Sequence, residues 1–227
     1  SEGQLWSHAA GHRDANKHHS ANPDNIIQIA SMTKLVTTIA ALQLVERGLL
    51  ALDEPANVYI DELARLRVLT GFDAGGEGQF EDAKRAPTVR ELITHTAGFV
   101  YEMWDANAQQ AVTAGLAESL LAGGNFLVNP LAFQPGAQWK YGTNTDWLGV
   151  LIEQRSGERL VDYFEKHIFD PLGMKDTHFE LPEDKLDRSV TMMARTEDQL
   201  IVSSFGQPPA QDRHSMPFYS GGGGIFS

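Results

Sequence analysis

A serine and a lysine lie three residues apart in the segment S-M-T-K at residues 31–34, at the start of an apolar run with helical spacing. Residues at positions i and i+3 share one face of a helix, so the Lys34 amine can reach the Ser31 hydroxyl. A helix that begins at Ser31 would carry a candidate nucleophile and a candidate base in its first turn. The pattern S-x-x-K is common, and its simplest alternative is a helix-capping serine followed by a solvated lysine.

Composition excludes several classes of function. The 227 residues carry a formal net charge of −12, which would repel nucleic-acid phosphates, so we expect no nucleic-acid partner. No apolar run reaches the ~18 residues that a membrane-spanning helix needs, so we expect no membrane span. Cysteine is absent, which excludes disulfides and thiol chemistry. The compartment and the oligomeric state stay open.

Hydrophobic periodicity, together with capping and breaking residues, predicts helices over about 31–47, 89–95, 109–121, 146–155 and 158–168. Thr88, with Glu91 three residues later, matches a capping box at the start of the second helix. In the first helix the apolar residues at helical spacing are Leu35, Ile39, Leu42 and Val45. In the fourth helix the residues expected to face inward are Leu148, Leu151 and Ile152.

Strands and loops are predicted at both ends of the chain and between the helices. Short apolar or alternating runs predict strands over 5–10, 177–181, 191–196 and 199–203. Clustered glycine and mixed charge predict a surface loop over 71–87, and a second loop is predicted over 206–217.

Four segments occur in one order: S-M-T-K at 31–34, H-T-A-G at 95–98, Y-G-T-N at 141–144 and G-G-G-G at 221–224. Together they resemble the serine β-lactamase-like superfamily, which contains class C β-lactamases, D,D-peptidases, family VIII carboxylesterases and related acyltransferases. The resemblance extends over most of the chain. It implies an α/β (α+β) fold, in which an antiparallel sheet flanked by helices packs beside a mostly helical region.

The resemblance also implies how the chain is divided. Residues 1–30 would belong to the sheet region, 31–200 to the mostly helical region with the S-x-x-K and tyrosine motifs, and 201–227 would return towards the sheet. The superfamily carries a third motif on a later strand, which supplies the second oxyanion donor, and no such motif follows residues 221–224. We therefore expect a chain that is truncated at both ends.

The resemblance assigns roles to three reacting residues. Ser31 would be the nucleophile that accepts the acyl group, and Lys34 would be its proton-accepting partner. Tyr141 would be the third catalytic residue, and the choice of Lys34 or Tyr141 as the base stays open. The backbone N–H of Ser31 and the helix N-terminus would stabilise the oxyanion. The mechanism implies no metal and no other cofactor.

One departure from the β-lactamase pattern favours the esterase branch. Thr143 stands where β-lactamases and D,D-peptidases carry an asparagine, and Asn144 follows one place later. Threonine cannot copy the paired donor and acceptor of an amide. Thr143 and Asn144 are candidate substrate-binding residues. Tyr101 and Trp104 are two more, because they resemble the aromatic wall of esterase acyl pockets.

The expected function is hydrolysis of a small-molecule carboxylic ester through an acyl-serine intermediate. The alternatives are a β-lactamase or D,D-peptidase with the same nucleophile, acyl transfer to an alcohol, and a non-catalytic binding member of the fold. We expect His95 to have a structural role. Histidines at 12, 18 and 19 match no metal-ligand spacing, and the four glycines lack the lysine of a phosphate-binding loop.

Overall fold

A computed structural model of the chain describes residue 3 and residues 6–120, 124–203 and 218–227. In these ranges the α-helices are α1 (Thr33–Glu46), α2 (Val89–Ile93), α3 (Ala106–Thr113), α4 (Asn144–Ser156), α5 (Leu160–Phe164) and α6 (Asp170–Leu172). The strands are β1 (Arg67–Phe72), β2 (Gly78–Asp82), β3 (Met193–Arg195) and β4 (Leu200–Val202). A π-helical segment (Glu165–Phe169) joins α5 to α6. Short 3-10 turns lie at Ala30–Met32, Ala56–Val58, Asp61–Ala64, Glu102–Trp104, Phe126–Val128 and Glu183–Arg188.

The strands form two antiparallel pairs, β1 with β2 and β3 with β4. The mixed α/β architecture with antiparallel pairing confirms the predicted fold class. The strands predicted over 191–196 and 199–203 are present as the shorter β3 and β4. Residues 6–10 form no strand, so that prediction is wrong there, whereas residue 5 and the predicted loop over 206–217 lie outside the described residues.

The predicted surface loop over 71–87 is wrong over 71–82, which belongs to the β1–β2 hairpin, whereas 83–87 forms neither helix nor strand. The turn between the strands is built on Asp73, whose carboxylate accepts the backbone N–H groups of Gly75 and Glu77 at 2.9 Å each. Such an Asx turn gives glycine-rich sequence a defined hairpin geometry. The buried Val68 and Leu69 tie the first strand to the core.

The last described residues join separate parts of the chain. The backbone of 225–227 pairs with 27–29 through hydrogen bonds of 2.9–3.0 Å, and Phe226 exchanges two more with His178. The strand predicted over 177–181 is thus reduced to one isolated bridge. This pairing brings the glycine segment 221–224 against α1, where Thr37 Oγ1 donates to the Gly221 carbonyl at 2.6 Å.

Helix α1 packs against α4. Leu35 is 67% exposed, and Ile39 and Leu42 are exposed as well, so three of the four apolar residues at helical spacing do not face the core. The apolar residues that α1 buries are Val36, Ala40, Ala41 and Leu44. Two alanines let the helix approach its neighbours closely, and because α1 is apolar on nearly every side, periodicity alone could not choose between faces.

Two other predicted helices are present with different bounds, and the fourth keeps its predicted inward face. Asp105 caps α3 by accepting the Ala108 N–H at 2.9 Å, and Gly115 ends that region with a φ of 70°, so the helix is earlier and shorter than 109–121. The helix predicted over 158–168 divides into α5 and the π-helical segment. The residues of α4 predicted to face inward are all fully buried: Leu148, Leu151 and Ile152.

The predicted capping box at α2 is confirmed. Thr88 Oγ1 accepts the Glu91 N–H at 3.2 Å, and Glu91 accepts the Thr88 N–H at 2.9 Å. Arg85 then binds the same carboxylate through both terminal nitrogens. This helix leads directly into His95, so its start also fixes where the H-T-A-G segment lies.

We predict that Thr88→Ala lowers the free energy of unfolding by about 1 kcal/mol, because one backbone N–H of α2 loses its cap. Thr88→Ser keeps an oxygen at the same place and is the matched control. Urea unfolding of the two variants beside the wild type measures the difference. Equal midpoints for Thr88→Ala and the wild type would show that the cap contributes nothing.

Candidate active site

Ser31 lies in a tight turn directly before α1. The 3-10 turn spans Ala30–Met32 and the α-helix begins at Thr33, so the helix starts two residues later than predicted. Ala30 has a φ of 46°, in the left-handed region that an alanine rarely adopts. Local strain of this kind is concentrated at functional sites. The turn leaves Ser31 exposed while Lys34, one turn later, is buried.

The Lys34 amine lies among three oxygen acceptors. Its Nζ donates to Ser31 Oγ at 3.2 Å, to the Tyr101 hydroxyl at 3.1 Å and to the Gly222 carbonyl at 2.7 Å. An ammonium has three N–H donors, so each can have an acceptor here. Lys34 is 9% exposed, and these contacts offset the loss of water around its charge.

Tyr101 and Tyr141 meet Lys34 in different ways. The Tyr101 hydroxyl forms the hydrogen bond, whereas the Tyr141 ring lies with its centroid 4.7 Å from Lys34 Nζ, a cation–π distance. Trp104 lies 5.5 Å from each of these two rings, centroid to centroid. Burial, followed by the negative charge of Asp146, raises the pKa of Tyr101 well above its usual range, so Tyr101 keeps its proton.

Asp146 is a buried carboxylate that the sequence analysis missed. It is 2% exposed, and its Oδ1 accepts from the Ser220 hydroxyl at 2.6 Å and from the Gly222 N–H at 3.0 Å. Burial raises its pKa, and these hydrogen bonds and the charge of Lys34 act in the opposite direction. Gly222 therefore links Asp146 to Lys34 through both of its backbone polar groups. In the sequence, Asp146 resembles an ordinary acidic residue in a first helical turn.

A cleft of about 430 Å³ opens beside Ser31. Of the four predicted substrate-binding residues, Tyr101 and Trp104 line it, and Trp104 is 66% exposed. Thr143 and Asn144 are not among the described residues that line the cleft, and both are buried. Their predicted contact with substrate has no support from these positions.

Asn144 and His95 hold two of the four sequence motifs together. The Asn144 amide donates to the Phe99 carbonyl at 2.9 Å and lies 3.0 Å from His95 Nδ1. The Gly142 N–H donates to the same His95 nitrogen at 3.3 Å. Two donors converge on Nδ1, so this nitrogen is an acceptor and the ring is neutral. Burial, and then the charge of Lys34, lowers the pKa of His95 to about 4.

In the part of the chain that the structure describes, no group of three or more histidine, aspartate and glutamate side chains could hold a metal ion. None of the helices in that part has the length and apolarity to cross a membrane.

A protein-family model described as Beta-lactamase matches residues 1–227. The chain belongs to the β-lactamase family. It is 37% identical over 209 residues to ML-236A carboxylate methylbutanoyltransferase mlcH of Penicillium citrinum, an alignment that covers 89% of this chain and 49% of that protein. It is 41% identical over 162 residues to lovastatin esterase of Penicillium rubens, covering 69% of this chain and 40% of that protein.

The fold of this β-lactamase-family chain is similar to that of simvastatin synthase (LovD6 mutant) from Aspergillus terreus. The TM-score is 0.81 at 34% identity, over 96% of this chain and 52% of that one. EstCE1, described as a hydrolase with promiscuous acyltransferase activity, shares the fold with a TM-score of 0.74 at 22% identity. The chain spans about half the length of the curated relatives it matches. These relatives are acyltransferases and an esterase.

His95 gives this family member a predicted pH dependence of stability. Its pKa is about 4 in the folded protein against an ordinary 6.5, so between these values the unfolded chain binds a proton that the folded protein does not. The free energy of unfolding should therefore fall as the pH drops from about 6.5 to 4, and His95 should have no effect above that window. Lys34 and Tyr141 are the titratable groups that face this ring.

Urea unfolding between pH 4 and pH 7 tests this prediction. His95→Asn keeps a polar acceptor and cannot titrate, so it is the control. As the pH falls, we expect the free energy of unfolding of the wild type to decrease more than that of His95→Asn. A gap that is constant over the whole range would contradict the assignment.

Proposed function

We propose that this protein is a serine acyl enzyme that cleaves small carboxylic esters, with Ser31 as nucleophile. The observation that carries the proposal is the 3.2 Å contact between Lys34 Nζ and Ser31 Oγ beside an open cleft. A nucleophilic hydroxyl needs an adjacent base. Lys34 can act as that base once its ammonium has given up a proton, because the lone pair of the neutral amine then takes the place of the N–H that points at Ser31 Oγ. The esterases and acyltransferases among the relatives support the same chemistry.

The proposed reaction has two halves. In the first, Ser31 Oγ bonds to the ester carbonyl carbon, Lys34 takes the hydroxyl proton, and the C–O bond to the alcohol breaks as the alcohol receives a proton. In the second, water bonds to the acyl carbon and gives a proton to Lys34, the bond from that carbon to Ser31 Oγ breaks, Oγ receives the proton back from Lys34, and the carboxylic acid leaves. Tyr141 and Tyr101 are the phenols beside Lys34, and either can pass the proton to the departing alcohol.

Acyl transfer to an alcohol is the second candidate, because it needs the same acyl-serine and differs in the group that removes it. The relative mlcH is named a methylbutanoyltransferase, which favours this candidate. Trp104 and Trp139 are both largely exposed beside Tyr141 and form an apolar rim on which an organic acceptor could bind. A product assay with and without added alcohol separates the two candidates.

Two further alternatives have direct tests. A β-lactamase or D,D-peptidase would turn over nitrocefin faster than an ester, and Thr143 in place of asparagine argues against it. A non-catalytic member of the fold would form no covalent adduct on Ser31.

We predict that the wild-type protein takes up a single fluorophosphonate adduct that maps to Ser31, because this hydroxyl has the lysine beside it. Ser31→Ala should take up none and should lose more than about 10³-fold in kcat for p-nitrophenyl butyrate. Ser20→Ala, a change at an exposed serine, is the matched control and should behave as wild type. Intact-mass spectrometry and peptide mapping give the readout, and full ester turnover by Ser31→Ala would refute the proposal.

We predict that Tyr101→Phe and Tyr141→Phe each lower kcat by roughly 10²-fold, the scale of general acid–base catalysis, if both phenols move protons. Trp104→Phe keeps an aromatic wall and should change KM more than kcat. Steady-state kinetics of the three variants supply the comparison. Wild-type kcat in Tyr101→Phe would show that the Tyr101 hydroxyl serves only to satisfy Lys34.

A further inference from the structure

We infer that His95 is a positioning residue that fixes Tyr141 against Lys34 by holding the backbone on both sides of that tyrosine. The inference rests on the proposed function, since the position of Tyr141 matters for turnover only if Tyr141 takes part in the reaction. It goes beyond the structural role expected for the H-T-A-G segment, because it names what this histidine holds in place.

His95 binds the residues directly before and after Tyr141. Its main-chain carbonyl accepts the Lys140 N–H at 3.0 Å, and its Nδ1 accepts the Gly142 N–H at 3.3 Å. The imidazole also lies against the tyrosine itself, with the ring centroids 4.8 Å apart. Two hydrogen bonds and one ring contact from a single residue therefore restrain both the backbone and the side chain of Tyr141.

The backbone of His95 is in an unusual conformation. Its φ is 59°, in the left-handed region, which is uncommon for residues other than glycine, although asparagine, aspartate and histidine adopt it more often than most. His95 comes two residues after the end of α2. In this conformation its main-chain carbonyl accepts the Lys140 N–H while its ring accepts the Gly142 N–H. Strain of this kind persists where the surrounding contacts over-determine it.

On the side away from His95, the backbone of the tyrosine segment packs directly against the backbone at Phe99. A Cβ on Gly142 would lie 2.2 Å from the Phe99 carbonyl oxygen, so glycine lets the two backbones touch. Asn144 adds a hydrogen bond from the same segment to Phe99. The segment that carries Tyr141 is thus held between His95 and the backbone at Phe99, which leaves its ring facing Lys34 Nζ.

His95 does not itself act on the substrate in this arrangement. Its Nδ1 is occupied by the Gly142 N–H and the Asn144 amide, and His95 does not line the cleft beside Ser31 within the described part of the chain. A misplacement of about 1 Å in a reacting group can reduce turnover by roughly 10²-fold. The expected effect of losing His95 is therefore on kcat, through Tyr141.

The test compares His95→Gly with His95→Asn in the intact protein, using p-nitrophenyl butyrate. Glycine accepts the positive φ and removes the ring, while asparagine also tolerates this φ and carries an acceptor oxygen close to the place of Nδ1. We expect His95→Gly to lower kcat by about 10-fold or more with KM nearly unchanged, and His95→Asn to recover most of the loss. If His95→Gly does not fold, His95→Gln replaces it, because its acceptor lies further out, at the place of Nε2.

A double-mutant cycle with Tyr141→Phe separates positioning from general loss of structure. If His95 acts through the Tyr141 hydroxyl, removing the ring should cost little more in a Tyr141→Phe background. An equal loss of kcat in both backgrounds would overturn the inference. So would a kcat for His95→Asn that is no higher than that of His95→Gly, or of His95→Gln where it replaces the glycine variant. Full activity of Tyr141→Phe would overturn the inference alone, because Tyr101 can also pass the proton. A wild type that takes up no acyl group would overturn the proposed function as well. Normal kcat in His95→Gly beside an inactive Tyr141→Phe would overturn the inference alone.

Discussion

The Lys34 amine is the contact on which the rest of the structure depends. It binds a hydroxyl one helical turn away, a phenol from the segment after α2, and a carbonyl from the glycine segment near residue 222. A buried amine is stable only if its hydrogen bonds are made, so these three parts of the chain must meet at one point. Asp146 extends the same network by holding the Gly222 N–H.

Close backbone approach is the second requirement of this arrangement. A Cβ on Gly222 would lie 2.5 Å from the Asp146 carboxylate, and a Cβ on Gly142 would meet the Phe99 carbonyl. Larger residues at either position would push apart the elements that surround Lys34. The sequence displays these glycines as motifs, but the reason for them is visible only in the partners that they approach.

Local features of the fold were predictable, and features that depend on packing were not. The capping box of Thr88 and Glu91 and the buried face of α4 follow from patterns within a few residues. The β1–β2 hairpin was missed because its glycines and charges are typical of a loop, while the pairing depends on Asp73 and on burial of β1. The buried face of α1 could not be predicted from periodicity, because this helix is apolar on nearly every side.

The sequence by itself determined that Ser31 and Lys34 can reach each other, because a spacing of three residues in a helical turn places the two side chains on one face. Only the tertiary structure decided which phenol binds the amine, since the Lys34–Tyr101 contact spans 67 residues and the Lys34–Gly222 contact spans 188. The roles of Asp146 and His95 were likewise decided only by the tertiary structure, because both depend on contacts with distant parts of the chain. Contacts over such separations are set by how helices and returning segments pack, and no periodicity in the sequence records them.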